Sequence, residues 1–383
     1  MFKEKFKGVY IRLYKIIFKL YYVIVRRLKP FNNKKVVFVL SRDKELQGNL
    51  YFIYKEIQKQ LPTAEIHFVY AENRMNLKLF KELRIISNAK YLILDDYYLP
   101  VYLINPDKKM KVIQLWHAAG AFKKFGHSTI GTRFGPKRSY LKIVPVHANY
   151  THVYVSSEKV VPFYAEAFNT SIHNVYPLGT PRIDLFNNEE MKQEIQHELF
   201  QRYPQLNESQ LVNVLIAPTY RATGHQEETA FNMLKTIFDN ITSFKNDVQF
   251  IVQLHPYANK RDISDLNTHH NVIIAEYYSL NEWMLVSDAF ITDYSSAIFD
   301  FSLLHKPFAH FVPDFFQYEQ NRGLYQDIRE LSDGEILSST DSLVEWVNGR
   351  YKDEYYETSK MITYNFNYTQ NVSQRIVKHF IDE

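Results

Sequence analysis

From residue 35 onward, short apolar runs alternate with stretches whose apolar positions recur every three to four residues. The runs at 36–40, 65–70, 91–94, 111–115, 153–156 and 174–178 predict strands in the first half. Those at 211–217, 249–254, 272–275, 289–292 and 308–312 predict strands in the second. Helical patterns separate most of them, at 50–60, 76–86, 158–168, 229–240, 280–286 and 297–304. Near-continuous apolar strands alternating with amphipathic helices predict parallel sheets covered on both faces. The polar stretch 186–209 carries no strand and splits the series, which predicts two doubly wound α/β domains joined there. The expected division is a helix at 1–30, domains at 31–190 and 191–355, and a helix at 356–383 that packs back toward the first domain.

The first 30 residues follow a different pattern. Nine basic groups stand there against the single acid Glu4, a net +8, while the whole chain carries +4 and the remainder therefore sums to −4. On a helical wheel Lys5, Arg12, Lys15, Lys19 and Arg26 share one face. Val9, Leu13, Ile16, Ile17, Leu20, Val23 and Ile24 form an apolar stripe, with Tyr10, Tyr14, Phe18, Tyr21 and Tyr22 interleaved. A basic amphipathic helix of this kind predicts attachment to an anionic membrane surface. It does not predict a span, because Lys19 interrupts a short apolar stretch, nor a signal peptide, because Arg26-Arg27 stands where small residues would be needed. The alternative is a helix packed on the body of the protein.

Composition narrows the chemistry. An apolar content of 46% over 383 residues can fill two cores. There is no cysteine, which removes disulfides, thiolate nucleophiles and cysteine-ligated metals, and suits a cytoplasmic or cytoplasm-facing protein. Neither a dinucleotide fingerprint nor a P-loop occurs. Nucleic acid is not an expected partner, since beyond residue 30 the charge is negative.

The candidate chemistry gathers where doubly wound sheets bind ligands, beyond the carboxyl ends of strands. The strand at 111–115 runs into Trp116-His117-Ala118-Ala119-Gly120-Ala121-Phe122-Lys123-Lys124, a potential base beside an anion-attracting loop. Gly179-Thr180-Pro181-Arg182-Ile183-Asp184 follows 174–178, and Ala217-Pro218-Thr219-Tyr220-Arg221 closes 211–217. Gln253-Leu254-His255-Pro256 closes 249–254. Thr292-Asp293-Tyr294-Ser295-Ser296-Ala297-Ile298-Phe299-Asp300 leads from 289–292 into a helix, where serines can cap and backbone N–H groups can receive a phosphate. No D-x-D metal motif stands at a strand end, so no metal and no cofactor are expected.

The order W-H-x-x-G…K-K-x-G, G-x-P-R-x-D, A-P-T-Y-R, a strand ending in His-Pro, and T-D-Y-S-S-x-x-F-D resembles the CDP-glycerol glycerophosphotransferases of teichoic-acid synthesis over residues 35–330. The loop after His117 departs from the W-H-G-T-P-L-K-K of the family's polymerases, and Gln253 stands where these often have Arg. Among family members the chain looks most like the glycerol-phosphate primases.

The resemblance implies a GT-B fold, two Rossmann-like domains facing across a cleft, with the acceptor in the first and CDP-glycerol in the second. It implies transfer of glycerol phosphate from CDP-glycerol to ManNAc-GlcNAc-diphospho-undecaprenol with release of CMP. It assigns His117 as general base and His255 as a second essential histidine near the donor phosphates. Arg182, Ser295 and Ser296 become diphosphate ligands, Pro218, Thr219, Gln253 and Leu254 donor contacts, and Asp300 part of the nucleotide-glycerol site. Lys123, Lys124, Arg221 and Asp293 are further phosphate or acceptor contacts. The implied location is the cytoplasmic face of the membrane, peripheral, where other teichoic-acid enzymes are potential partners. The readings that compete with this are a family polymerase or second-unit transferase, a GT-B glycosyltransferase using a nucleotide sugar, and an inactive membrane scaffold.

Overall fold

A computed structural model describes residues 2–41, 45–133, 135–219, 231–255 and 269–383. Two parallel six-stranded sheets organise the chain. The first is built from β1 (Asn32–Leu40), β2 (Glu65–Tyr70), β3 (Ala89–Leu94), β4 (Lys111–Gln114), β5 (His152–Tyr154) and β6 (Val175–Tyr176), in the order β2-β1-β3-β4-β5-β6. The second is built from β7 (Val212–Ile216), β8 (Val248–Val252), β9 (Val272–Ile274), β10 (Ala289–Thr292), β11 (Phe308–Phe311) and β12 (Glu335–Leu337), in the order β12-β11-β10-β7-β8-β9. Every strand pair is parallel, as uninterrupted burial along β7, β8, β10 and β11 requires.

Two compact units result. One comprises residues 1–118, 125–182 and 367–383, and the other 119–124 and 183–366. The chain thus changes unit at 182/183 and again at 366/367, and the loop after His117 counts with the second unit. The polar stretch read as strandless is the helix Glu189–Arg202, capped by the Asn188 side chain, with only Leu199 buried. Its near-uniform polarity hid its periodicity. β12 escaped the sequence reading because only three residues form it, at the edge of the sheet.

In the first unit the helix Val372–Asp382 lies against α2 (Gly48–Gln60), on the layer that covers the sheet. Gly179, at φ +115°, is required there: a Cβ would stand 2.6 Å from Val372 Cγ1.

The N-terminal helix α1 (Phe2–Leu28) packs on the body of the first unit through one face and leaves its aliphatic stripe exposed. Ile11, Tyr14, Phe18, Tyr22 and Val25, one face at helical spacing, are buried. Tyr14, Phe18 and Tyr21 surround Phe80 of α3 (Lys78–Ile86) at centroid distances of 5.7, 5.1 and 5.2 Å. Complete burial of Phe18 and Tyr22 stabilises the contact by about 1.5–3 kcal/mol per side chain. The aliphatic stripe points away: Leu13, Ile16, Ile17, Leu20 and Ile24 are each more than half exposed. The basic face is divided. Lys15 Nζ donates to the Ile143 carbonyl at 2.6 Å and Arg26 pairs with Asp107 at 2.5 Å, so these two charges serve the packing, whereas Arg12 and Lys19 are exposed. Among the described residues no helix is long and apolar enough to cross a membrane.

Candidate active site

In the first unit the site is wired around β4. Gln114, fully buried at the end of that strand, accepts the Trp116 N–H at 2.9 Å and donates to the Asp96 carbonyl at 3.0 Å. This holds Trp116 at φ +53°, a conformation rare for a bulky residue and a sign of local strain at a functional position. Trp116 stacks on His117 at 4.2 Å and on Phe125 at 5.3 Å. His117 Nδ1 lies 3.1 Å from the Asp95 carbonyl, and a carbonyl can only accept, so Nδ1 carries the proton. Nε2 then holds the lone pair, the protonation state a general base needs. The Asp96 carboxylate, 3.9 Å from Nδ1, favours the imidazolium that proton uptake would form.

Asn49 and Arg182 complete the frame. Asn49, buried in the first turn of α2, donates to the Trp116 carbonyl at 2.8 Å and accepts the Arg182 N–H at 3.0 Å. Arg182 Nη1 donates to the His117 carbonyl at 2.7 Å. The fold therefore brings Arg182 and His117 together, as two ends of one hydrogen-bonded frame. Asn49, Asp95, Asp96 and Gln114 were not singled out from the sequence. Asn49 stands just before the helix predicted at 50–60, and no local signal reveals a side chain that bridges segments 67 and 133 residues away.

In the second unit the strand order reverses between β7 and β10, where doubly wound sheets open a ligand crevice. The loops after β7, β10 and the neighbouring β8 carry the predicted residues. Thr292 Oγ1 donates to the Ala217 carbonyl at 2.6 Å, and Asp293 Oδ1 accepts the Thr219 N–H at 2.8 Å, which locks the two central loops to each other. Asp293 is fully buried, so the structure gives it a positioning role. Its carbonyl accepts from His310 Nδ1 at 3.0 Å, while His310 Nε2 faces Ser332 Oγ at 2.9 Å. Burial lowers the His310 pKa to about 4 and keeps the ring neutral, consistent with one donating and one accepting nitrogen. Tyr294 is also buried, stacked on Tyr318 at 3.6 Å with its hydroxyl donating to Asp314 at 2.8 Å.

Of that motif, Ser295 and Ser296 are the half-exposed members. Ser295 Oγ accepts the Ala297 N–H at 3.2 Å, whereas Ser296, the residue before the helix Ala297–Ser302, makes no side-chain cap. That helix has six residues rather than the eight expected, which limits its dipole. Asp300, within that helix, is fully buried and accepts from Asn281 Nδ2 at 3.1 Å. Pro218 and Thr219 are half-buried beyond β7, and Gln253 and His255 beyond β8. Leu254 packs its side chain on the core of the unit.

Thr219 Oγ1 and Gln253 Oε1 are buried atoms with no hydrogen-bond partner among the described residues. A buried polar atom without a partner is costly, and two at the ends of adjacent strands mark a place for a polar ligand. Lys123 and Lys124 lie on the segment that pairs with 323–325, through Lys124 N–H to the Gly323 carbonyl at 3.2 Å and Tyr325 N–H to the Phe122 carbonyl at 2.9 Å. In the same segment Gly120, at φ +65°, has no room for a Cβ, which would meet Phe299 at 2.5 Å. Arg221 lies outside the described residues.

One group among the described residues could hold a cation. His152, His379 and Glu383 place one ligand atom each within 4.8 Å of one another. His152 begins β5 and His379 and Glu383 come from the C-terminal helix and its end, away from the carboxyl end of β4 that carries His117.

Comparison with known proteins places this geometry. The chain is 36% identical over 341 residues to a teichoic acid ribitol-phosphate primase of Bacillus spizizenii, covering 87% of each protein. It is 26% identical over 327 residues to a teichoic acid glycerol-phosphate primase of Bacillus subtilis, covering 85% of this chain and 81% of the relative. The wall teichoic acid polymerase TagF superposes with a TM-score of 0.75 at 21% identity, over 100% of this chain and 97% of the TagF structure, which shows the expected GT-B type fold. A UDP-GlcNAc 2-epimerase from Neisseria meningitidis shares the fold more distantly, with a TM-score of 0.56 at 14% identity over 91% of this chain and all of the other. The family described as CDP-Glycerol:Poly(glycerophosphate) glycerophosphotransferase matches residues 20–381, and the chain belongs to it.

Proposed function

We propose that the chain transfers an alditol phosphate from a CDP-alditol to a lipid-linked acceptor in teichoic acid synthesis, as a primase. The family supports the reaction class. Identity of 36% to a ribitol-phosphate primase, against 26% to a glycerol-phosphate primase over a similar span, favours ribitol phosphate as the group transferred. Glycerol phosphate from CDP-glycerol, added to ManNAc-GlcNAc-diphospho-undecaprenol, is the second reading. It is supported by the family's description and by the motifs at 116–124 and 292–300.

The observation that carries the donor assignment is a pair of buried oxygens without a hydrogen-bond partner among the described residues, Thr219 Oγ1 beside the strand-order reversal of the second sheet and Gln253 Oε1 one strand over. In this reading Ser295, Ser296 and His255, on the strand-end loops of the second unit, supply hydroxyl and imidazole contacts to the diphosphate, and the motif G-x-P-R-x-D assigns Arg182 a charged contact to it. In the reaction an acceptor hydroxyl attacks the phosphorus that bears the alditol. A new P–O bond forms, the P–O bond to CMP breaks, and His117 Nε2 takes the hydroxyl proton. Phosphoryl transfer of this kind depends on positioning and on neutralising the charge of the leaving group.

Peripheral membrane attachment is part of the same reading. It is supported by the exposed aliphatic stripe of α1 together with Arg12, Lys19 and Arg27. The deciding experiment incubates the protein with the lipid-linked disaccharide, with or without a first glycerol phosphate, and either CDP-ribitol or CDP-glycerol. Mass spectrometry then identifies and counts the units added. A single ribitol phosphate supports the first reading, a single glycerol phosphate the second, and a ladder of products would make the protein a polymerase.

A further inference from the structure

A cavity of about 440 Å³ opens in the first unit between Lys29, Lys35, His67, Lys81, Arg84 and Ile85. Lys29 directly follows α1, Lys35 lies in β1, His67 in β2, and Lys81 and Arg84 on successive turns of α3. Five basic side chains from four segments thus line one hollow. Among the described residues no carboxylate lies within ion-pair distance of Lys29, Lys35, Lys81 or Arg84. Glu65, the register partner of Lys35, turns Oε2 toward Asn32 Nδ2 at 2.7 Å.

Lys35 is the telling member. It is 7% exposed, and its ammonium donates to the neutral Asn88 Oδ1 at 3.1 Å. Burial first, and then the charge of Lys29, push its pKa below the ordinary lysine value. His67 is lowered in the same way, by burial and then by Lys35. Lys29 is tethered to the same place, its Nζ donating to the Arg84 carbonyl at 2.9 Å. A buried cation among like charges is unfavourable unless an anion joins it. The fixed fork of Arg84 and the point charges of the lysines suit phosphate oxygens, and the volume suits a small headgroup. The register pairs Lys35 with Glu65 and Val37 with His67, which puts the hollow toward the amino-terminal ends of β1 and β2. His117 follows the carboxyl end of the parallel β4, at the other end of the same sheet.

We propose that this hollow binds a phosphate-bearing anion, either the headgroup phosphate of an anionic phospholipid or a free phosphate-class anion. The lipid source rests on the membrane reading of α1, and the free source does not. The test uses the full chain, wild type and Lys81→Ala/Arg84→Ala, both exposed positions whose loss leaves the core intact. Calorimetry with inorganic pyrophosphate reads the free anion. Co-sedimentation with phosphatidylcholine vesicles, with and without phosphatidylglycerol, reads the lipid. Each lost charge should weaken the affected arm about fivefold, and both together by more than about tenfold. A drop confined to pyrophosphate identifies a free anion as ligand, and a drop confined to phosphatidylglycerol vesicles identifies the lipid. Equal binding of wild type and variant in both arms overturns the site. A Leu20→Glu/Ile24→Glu variant separates the two readings. If it still pellets with phosphatidylglycerol vesicles as wild type does, the stripe of α1 is not a membrane contact, while the pyrophosphate arm still judges the hollow.

Discussion

Both sheets have six parallel strands, yet they present their functional groups differently. In the second, the strand order reverses between β7 and β10, and the loops beside that reversal carry Thr219, Ser295 and Ser296, with Gln253 and His255 one strand over. In the first, the order reverses between β1 and β3, while His117 and Arg182 come from the ends of β4 and β6. Topology places a crevice in the second unit, where Thr219 Oγ1 and Gln253 Oε1 find no hydrogen-bond partner among the described residues. The first unit has no such help for His117 and holds it by a dense frame, from Asp95, Gln114, Asn49 and Arg182, with strain stored at Trp116. The lesson is a division of labour. In the proposed reading one unit receives the donor and the other aims the base.

The largest effect should come from the aimed group. His117→Ala removes the base and should lower kcat by about 10²–10⁴ with donor affinity unchanged. His255→Ala should lower turnover by at least about a hundredfold while also weakening the donor, since it stands with the receiving loops. Steady-state kinetics beside calorimetric donor binding would separate the two. If His117→Ala weakened CDP-alditol binding as much as His255→Ala, the contrast between the units would collapse.

A smaller effect sharpens the same contrast through the supports. Asn49→Ala leaves the Trp116 carbonyl and the Arg182 N–H without their shared partner, a loss of about 1–3 kcal/mol of stability. It should lower kcat at constant donor affinity, because it loosens the aim of His117. Ser295→Ala/Ser296→Ala should do the reverse. Two neutral hydrogen bonds of about 0.5–1.5 kcal/mol each predict a rise of roughly fivefold to a hundredfold or more in donor Kd, with the aim of His117 untouched.

How much of this was legible follows from the range of each signal. The strands and both strand-end histidines are written in short stretches of chain, so periodicity and position sufficed. The resemblance made Asp300 part of the nucleotide-glycerol site and Asp293 a further contact, from local motif alone. Their burial, the bond from the Thr219 N–H to Asp293 and that from Asn281 to Asp300 arise only from tertiary folding. The frame around His117 depends on Asn49 and Asp95, which are joined to it only by tertiary folding. On α1 the aliphatic stripe was readable, but the sequence could not say that the aromatic face packs on Phe80. A deletion of residues 1–30 would therefore expose core and confuse anchoring with folding, which point changes in the stripe avoid.

A milder test uses one buried histidine in each unit. Burial lowers the pKa of His147, in the first, to about 3, and that of His310, in the second, to about 4. Both lie below the unfolded value of about 6.5, so between about pH 6.5 and 4 the unfolded chain binds more protons than the native one. Stability is then fully present above about pH 6.5 and falls on acidification, by about 1.4 kcal/mol per pH unit for each histidine. Because His310 supports the Asp293 loop, mild acid should also weaken donor binding before the first unit loses its fold. Denaturant titrations across this window, with donor calorimetry alongside, would show it. A flat stability profile would mean that neither ring is buried in the neutral form.

The smallest expected effect is none at all, and it also bears on how the two units share the chemistry. The proposed reading gives charge stabilisation of the leaving CMP to Arg182 of the first unit and to Lys123 and Lys124 of the second, with hydrogen bonds from Ser295 and Ser296. The sequence has no D-x-D at a strand end. Turnover should therefore persist in EDTA. The group His152, His379 and Glu383 makes this a discriminating experiment. Nε2 of His152 lies 2.7 Å from Glu383 Oε2, close enough for a direct hydrogen bond, and its Nδ1 lies 2.8 Å from Thr151 Oγ1. A cation held there would fasten the C-terminal helix to β5, so removing it would lower the melting temperature and leave kcat as it was. The measurement is turnover and melting temperature on the same EDTA-treated sample. Loss of turnover restored by Mg²⁺ would show that a metal neutralises the leaving group, and Arg182, the lysines and the serines would lose their charge-stabilising role.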